Sequence, residues 1–228
     1  MTRQECTVCV VPAFGAERTL PRVVAAIRQA VPSAVIIVID DGSRDGTSAA
    51  GAEADEVVRH ETNRGKGAAL RTGFDRALTR GADNIITLDA DGQHDATRIP
   101  ALLTALRDAD IVVGARDHTG AMPVHRRFSN RASAAAIGHI TGLTVRDAQS
   151  GFRAHRRAVV ERVKPRGDHY EFETEMLILA ARQGFRISSV PVPTIYGGTS
   201  HFRLLRDGAR VVSTIWQNRR ARSGAQDL

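Results

Sequence analysis

The stretch ITLDADGQHD, residues 86–95, sets three aspartates, Asp89, Asp91 and Asp95, directly behind a short apolar run. Such a run reads as a buried strand, and the crowded acids mark its end. Carboxylates this close repel one another unless positive charge sits among them, and a bound divalent cation is one source of it. If the chain stays extended, the alternate residues Asp89, Asp91 and Gln93 point the same way and offer the hard oxygen ligands that suit Mg2+ or Mn2+. The structural alternative is a polar strand exit closed by Asx turns, since aspartate readily occupies turns.

Outward from that strand end, the first half of the chain repeats one pattern. Strands expected at 7–11, 34–40, 56–59, 84–89 and 110–115 alternate with helices at about 18–30, 44–53, 66–80 and 97–108. That alternation predicts an α/β fold, a mostly parallel central sheet flanked by helices. Ligands of such sheets bind beyond the carboxyl ends of the strands. The loops PAFGAE, DDGSRDGT, NRGKG and DADGQHD each follow a strand, so they are expected to meet on one rim. Beyond residue 116 the alternation weakens into a helix at about 123–140, an irregular stretch TVRDAQSGFRAHRR, a helix at about 171–183, a strand RISSVPV and a helix at about 202–219. No linker or repeat divides the chain, so one domain over residues 1–228 is expected.

Composition narrows the partners. Hydrophobic residues at 42% and charged residues at 25% are ordinary globular values and exclude a disordered or fibrous chain. The net charge of +7 comes largely from arginine, which favours partners that carry phosphate. Aromatic residues are only 4% and no basic run is interleaved with stacking residues, so no nucleic-acid partner is expected. Cys6 and Cys9 share a C-x-x-C spacing, but an odd spacing on a strand sends the two side chains to opposite faces, and no second ligand pair exists. The start MTRQECTV has no apolar leader and no run approaches about 18 apolar residues. A cytoplasmic location with at most peripheral membrane contact is expected.

Two further loops carry chemistry. In VIDDGSRDGT (38–47), Ser43 or Asp45 can cap the next helix, which leaves Asp40 and Asp41 together unexplained; hydrogen bonds to a base or ribose would explain them. NRGKGAALRTGF (63–74) lacks the Walker spacing, and Leu70 replaces the third glycine of the dinucleotide fingerprint. Its glycines, with Lys66 and Arg71, either approach a diphosphate or form an ordinary tight turn.

Taken together, VPAFGAERTL, VIDDGSRDGT, NRGKGAALRTGF, LDADGQHD and QSGFRAHRR, in this order and spacing, resemble the family 2 glycosyltransferases of GT-A fold. The resemblance is to the dolichol-phosphate mannosyltransferase-like branch and covers about residues 6–202. It implies a metal-dependent, inverting transfer of a hexose, mannose or glucose, from a GDP- or UDP-linked nucleotide sugar to a polyprenyl phosphate. It maps donor binding to Pro12, Phe14, Asp40 and Asp41, with Lys66 nearby, and the Mg2+ or Mn2+ site to Asp89, Asp91 and Gln93. The acceptor side falls to Arg116, Arg131, Ser150 and Arg153, and the catalytic groups to Asp91, Arg116, Arg131 and Glu175, the last orienting the acceptor or a basic residue. An acceptor that is already anionic hardly needs a general base.

Departures from the family pattern shape two alternatives. Where the family has P-x-Y-N-E, this chain has Pro12-Ala13-Phe14-Gly15-Ala16, with Glu17 as a replacement if the loop shifts. His201 stands where a lysine is expected, placed to touch the donor phosphate or the metal, or simply to pack. The missing Asn and Glu motivate a nucleotide-sugar-binding protein without transferase activity; the missing membrane span motivates a soluble acceptor. In HFRLLRDGARVVSTIWQNRR, the residues Phe202, Leu205, Ala209, Val212, Ile215 and Trp216 form an apolar stripe flanked by arginines. That stripe packs against the domain or lies on a membrane surface. Removal of residues 203–228 decides between them: lost sedimentation with anionic liposomes supports the membrane role, and unchanged sedimentation eliminates it.

Overall fold

The computed structural model describes residues 5–116, 138, 147 and 149–193. Apolar runs form β1 (Thr7–Ala13), β2 (Val35–Asp40), β3 (Glu56–Arg59), β4 (Asn84–Thr87) and β5 (Ile111–Arg116). Between them lie α1 (Leu20–Ala30), α2 (Thr47–Ala50), α3 (Lys66–Thr79) and α4 (Ile99–Ala105). Then come β6 (Arg153–Arg156), α5 (Arg157–Arg162), α6 (Glu171–Arg182) and β7 (Ile187–Val192). One seven-stranded sheet results, in the order β3-β2-β1-β4-β6-β5-β7. Its strand pairs are parallel except those of β6, which runs antiparallel to both neighbours.

Strand alternation divides the core into two layers. Val8, Val10, Ile37 and Ile39 pack with Leu70, Phe74, Phe172 and Leu177 on one face. Cys9, Val11, Ile36 and Val38 pack with Leu20, Val24, Ile27 and Leu102 on the other. Cys6 packs against the first layer and Cys9 lies in the second, the opposite-face placement that the C-x-x-C spacing predicts. Burial pushes the Cys9 thiol up to about 12, so it behaves as a small apolar side chain.

The helices expected at 44–53 and 97–108 are shorter, Thr47–Ala50 and Ile99–Ala105, the latter preceded by a 3-10 turn at Ala96–Arg98. The strand expected at 84–89 stops at Thr87, so Leu88 and Asp89 lie past its end. The helices expected at 123–140 (Gly138 apart) and 202–219, together with Arg131 and His201, lie outside the described residues.

β6 and α5 arise from a stretch that reads as irregular. The sequence RAHR lacks apolar alternation, yet Arg153 and His155 are each 2% exposed. Because β6 opposes β4, its first residue Arg153 pairs with Thr87, the last of β4. The residues just before Arg153 therefore emerge at the carboxyl-end rim of the parallel strands.

His155 has a measurable consequence. Its ring meets Phe74 edge-on at 5.5 Å, and its Nδ1 finds no hydrogen-bond partner among the described residues. Burial, then the Arg153 charge, pushes its pKa down from 6.5 to about 3. The unfolded chain takes up this proton below about pH 6.5 and the folded chain does so only near 3, so the folded state loses stability progressively across that window. This adds a slope of up to about 1.4 kcal/mol per pH unit. Urea denaturation at pH 7.5 and 4.5 should show a smaller acid loss for His155→Leu than for the wild type. Equal losses would contradict this account.

Candidate active site

Short hydrogen bonds tie the strand-end loops into one rim. The Gly15 amide donates to Ser43 Oγ at 3.0 Å and the Ala16 amide to Thr47 Oγ1 at 2.8 Å. Glu17 Oε2 accepts the Gly46 amide at 3.2 Å, and Thr19 Oγ1 donates to the Ala90 carbonyl at 2.6 Å. The loop after β1 thus holds the loops after β2 and β4. Gly15 sits at φ 63°, a left-handed conformation that glycine adopts freely. Pro12 is buried in β1, while Phe14 is 43% exposed at the rim.

Asp40 and Asp41 turn inward. Asp40 is fully buried; its Oδ1 accepts the Ser43 amide at 3.0 Å and its Oδ2 accepts the Ser48 hydroxyl. Asp41 accepts the Arg64 amide at 2.9 Å and the Gly65 amide at 2.7 Å, and bonds His60 Nδ1 at 2.7 Å. These bonds supply the explanation that the sequence lacked: the two acids hold the loops after β2 and β3 in shape. The glycines around Lys66 are likewise used internally. A Cβ on Gly65 would lie 2.3 Å from the Asp168 carbonyl oxygen, and one on Gly67 2.4 Å from that of Gly167. The Gly67 amide donates to the Asp168 carbonyl at 2.7 Å, so the start of α3 is capped by the chain itself.

The acids of the DADGQHD loop separate in role. The chain does not stay extended: Gly92 lies at φ 74° and Asp91 Oδ1 accepts the Gln93 amide at 2.9 Å, an Asx turn. Asp95 caps the next turn by accepting the Thr97 amide at 3.0 Å. Asp89 points to Lys66, with Oδ1 2.5 Å from Nζ, and its Oδ2 lies 3.3 Å from His94 Nε2. Lys66 Nζ also lies 3.1 Å from Glu173 Oε1 and 5.6 Å from the centre of the Tyr170 ring. Burial acts to raise the Asp89 carboxyl, but Lys66 and then His94 outweigh it and hold it well below the usual carboxylate range. Burial likewise acts to lower the Lys66 pKa, and the charges of Asp89 and Glu173 overcome it, leaving it raised. Among the described residues no cation pairs directly with Asp91; burial, then the Asp89 charge, pushes its carboxyl up against the weaker pull of His94 and Lys66.

The residues expected on the acceptor side divide. Arg116, at the end of β5, makes a two-pronged pair with Asp147, from Nε to Oδ2 at 2.5 Å and from Nη2 to Oδ1 at 2.9 Å. Asp147 holds this position in a left-handed backbone conformation, φ 56°. Ser150 is buried, its carbonyl accepting from Arg153 Nε at 2.8 Å. Arg153, expected to face the acceptor, is instead enclosed and donates from Nη1 to the Glu173 carbonyl at 2.6 Å, bracing α6 against β6. Glu175, expected among the catalytic groups to orient the acceptor or a basic residue, accepts the Arg166 and Gly167 amides, both at 2.9 Å, and orders the loop before α6. The acid of α6 that enters the site is Glu173. Helical spacing separates the faces of Glu173 and Glu175 but does not say which face turns inward.

Among the described residues, no group of three or more His, Cys, Asp and Glu side chains is arranged to hold a metal ion. Mg2+ does not require one, since one or two carboxylates commonly hold it with water and substrate phosphates, and Mn2+ takes the same oxygen ligands. Asp91 fits that need, because a cation beside it would relieve the burial and repulsion that raise its carboxyl. Asp89 is the second available oxygen donor.

A mostly parallel sheet with paired aspartates where its fourth strand exits is that of a GT-A glycosyltransferase. Residues 8–164 match the glycosyl transferase family 2 domain, and the chain belongs to that family. It is 33% identical over 198 residues to undecaprenyl-phosphate mannosyltransferase of Micrococcus luteus, covering 80% of this chain and 81% of that one. It is also 33% identical over 203 residues to polyprenol monophosphomannose synthase of Mycolicibacterium smegmatis, covering 82% and 76%. In fold it resembles glucosyl-3-phosphoglycerate synthase from Mycobacterium tuberculosis, solved with Mn2+, UDP and glucosyl-3-phosphoglycerate. There the TM-score is 0.76 at 23% identity, over 94% of this chain and 80% of the other.

Gly151 closes the site from the β6 side. Its carbonyl accepts from Thr87 Oγ1 at 2.9 Å, and a Cβ placed on it would lie 2.6 Å from Asp89 Oδ2 and 2.7 Å from Lys66 Nζ. Gly151→Ala must therefore push the ion pair apart. Nucleotide-sugar turnover should fall at least about tenfold, an effect of roughly 1.4 kcal/mol. A Gly151→Ala enzyme of wild-type turnover would show that the pair tolerates displacement.

Proposed function

We propose that this chain transfers a hexose, mannose foremost, from a nucleotide sugar to a polyprenyl phosphate with Mg2+ or Mn2+ as its cofactor. The observation that carries this reading is the unequal acid pair beyond β4: Asp89 is matched by Lys66 at 2.5 Å, whereas Asp91 accepts only the Gln93 amide among the described residues. Two relatives at 33% identity, both named for polyprenyl-phosphate or polyprenol mannosyl transfer, support the acceptor and the sugar.

In this reading Phe14 stacks on the donor base, and Asp89, Asp91 and Gln93 are the residues that would hold the cation. When bound, the ion would stabilise negative charge on the departing diphosphate. Arg116, oriented by Asp147, receives the acceptor phosphate, with Arg131 and Ser150 as further acceptor-binding residues and His201 as a donor-binding one. An acceptor phosphate oxygen forms the new bond to the anomeric carbon while the bond to the diphosphate breaks, with inversion. No proton has to be removed from the nucleophile. No described helix is long and apolar enough to cross a membrane, and the lipid is reached through peripheral contact. Residues 1–228 act as one domain.

Transfer assays with GDP-mannose, UDP-glucose and Mn2+, offered undecaprenyl phosphate or 3-phosphoglycerate, test the proposal. The expected product is a mannosyl lipid, and Asp91→Asn should lower its formation by at least about 100-fold. Transfer to phosphoglycerate alone would move the enzyme to soluble acceptors. Donor binding without turnover on either acceptor would favour a binding protein.

A further inference from the structure

Of the 32 lysines and arginines in the chain, only Lys66 and Lys164 are lysine. A sequence that meets nearly every need for positive charge with arginine nevertheless places one of its two lysines between two carboxylates of the site. Lys66 is 14% exposed in its side chain, and its partner Glu173 is 6% exposed. A guanidinium is a broad planar fork, whereas an ammonium is a compact charge that fits between two carboxylate oxygens. The space matches the compact group: Asp89 at 2.5 Å, Glu173 at 3.1 Å, the Tyr170 ring at 5.6 Å, and the Gly151 main chain close enough to exclude a methyl group.

The geometry points to Lys66 as an exchangeable internal cation and Glu173 as the positioning residue that retains it. Without metal, the ammonium neutralises Asp89 and keeps the acid pair from forcing the loop open. When a divalent ion takes an oxygen of Asp89, the lysine yields that contact and stays on Glu173, beside the place where the donor diphosphate binds. This inference rests on the metal site proposed above, and it adds that the metal must compete with a resident lysine. Both oxygens of Asp89 are occupied, by Lys66 and by His94, whereas Asp91 accepts only a main-chain amide among the described residues. Binding by Asp91 alone leaves Lys66 in place; binding that includes Asp89 sets a divalent ion against the ammonium on the same carboxylate, and their repulsion drives the exchange.

The two ends of the pair then act in opposite directions. Lys66→Met removes the competitor and should tighten MnCl2 binding without nucleotide, measured by electron paramagnetic resonance titration, by about tenfold. The same variant should weaken binding of UDP and GDP in the presence of Mn2+. Glu173→Gln removes the fallback position and should weaken MnCl2 binding severalfold, because the displaced ammonium loses its second carboxylate. If Lys66→Met fails to fold, Glu173→Gln carries the test, with Glu173→Asp expected to restore binding towards wild type. A purely structural role for the pair would lower melting temperatures while leaving Mn2+ affinity unchanged or shifted the same way in both variants, and that result overturns the exchange. If the wild type binds no Mn2+ even with UDP or GDP present, the metal site itself falls and the exchange falls with it.

Discussion

Two aspartates within three residues, turned towards a partly enclosed rim, have to be kept from repelling one another before any donor arrives. The ion group Asp89–Lys66–Glu173 meets that constraint, and much of the surrounding chain is arranged to bring its members together. Lys66 opens α3, Glu173 lies on α6, and Asp89 follows β4, so three separate elements converge on one ammonium. The glycines at 65, 67 and 151 are small because each lies where one main chain closes on another, or on the ion pair itself. Larger residues at those positions would separate the charges the site depends on.

The antiparallel strand β6 supplies the last wall. A wholly parallel sheet would send the segment before a strand to the amino-end rim, away from the ligands. Reversing one strand between β4 and β5 instead delivers Asp147, Ser150 and Gly151 to the carboxyl-end rim. Asp147 there holds Arg116 on β5, and Gly151 there meets Asp89 after β4. A single strand reversal thus joins the loop of Asp89 to the end of β5 at Arg116.

The parts legible in the sequence were those where burial follows apolar alternation. β1 to β5 and α3 came through because their β-branched runs and helical faces record the two core layers directly. β6 did not, because its buried residues are Arg153 and His155, whose burial depends on bonds to distant carbonyls and on an aromatic edge that no local pattern encodes. The rim was legible as a set of strand-end loops, and the D-x-D element as its chemical centre. The distribution of labour within the rim was not. Asp40, Asp41, Arg153 and Glu175 carry the residue types of ligand-binding groups, yet each is engaged by the protein's own main chain.

That mixture has a physical origin. A loop that must hold main-chain amides in unusual conformations needs strong acceptors, and carboxylates are the strongest the chain has. Acids that shape a site and acids that serve it therefore cluster in the same short motifs, and sequence alone gives both the same appearance. What separates them is where the partner lies. An acid satisfied by nearby amides, as Asp41 is by Arg64 and Gly65, has little reason to exchange its partners. An acid satisfied by a single ammonium that has a second carboxylate to hold it, as Asp89 is on its Oδ1 side, keeps a partner that can be displaced. Asp91, with no directly paired cation among the described residues, is the acid whose charge a divalent ion would offset, and the lysine shared between Asp89 and Glu173 is the partner such an ion would meet.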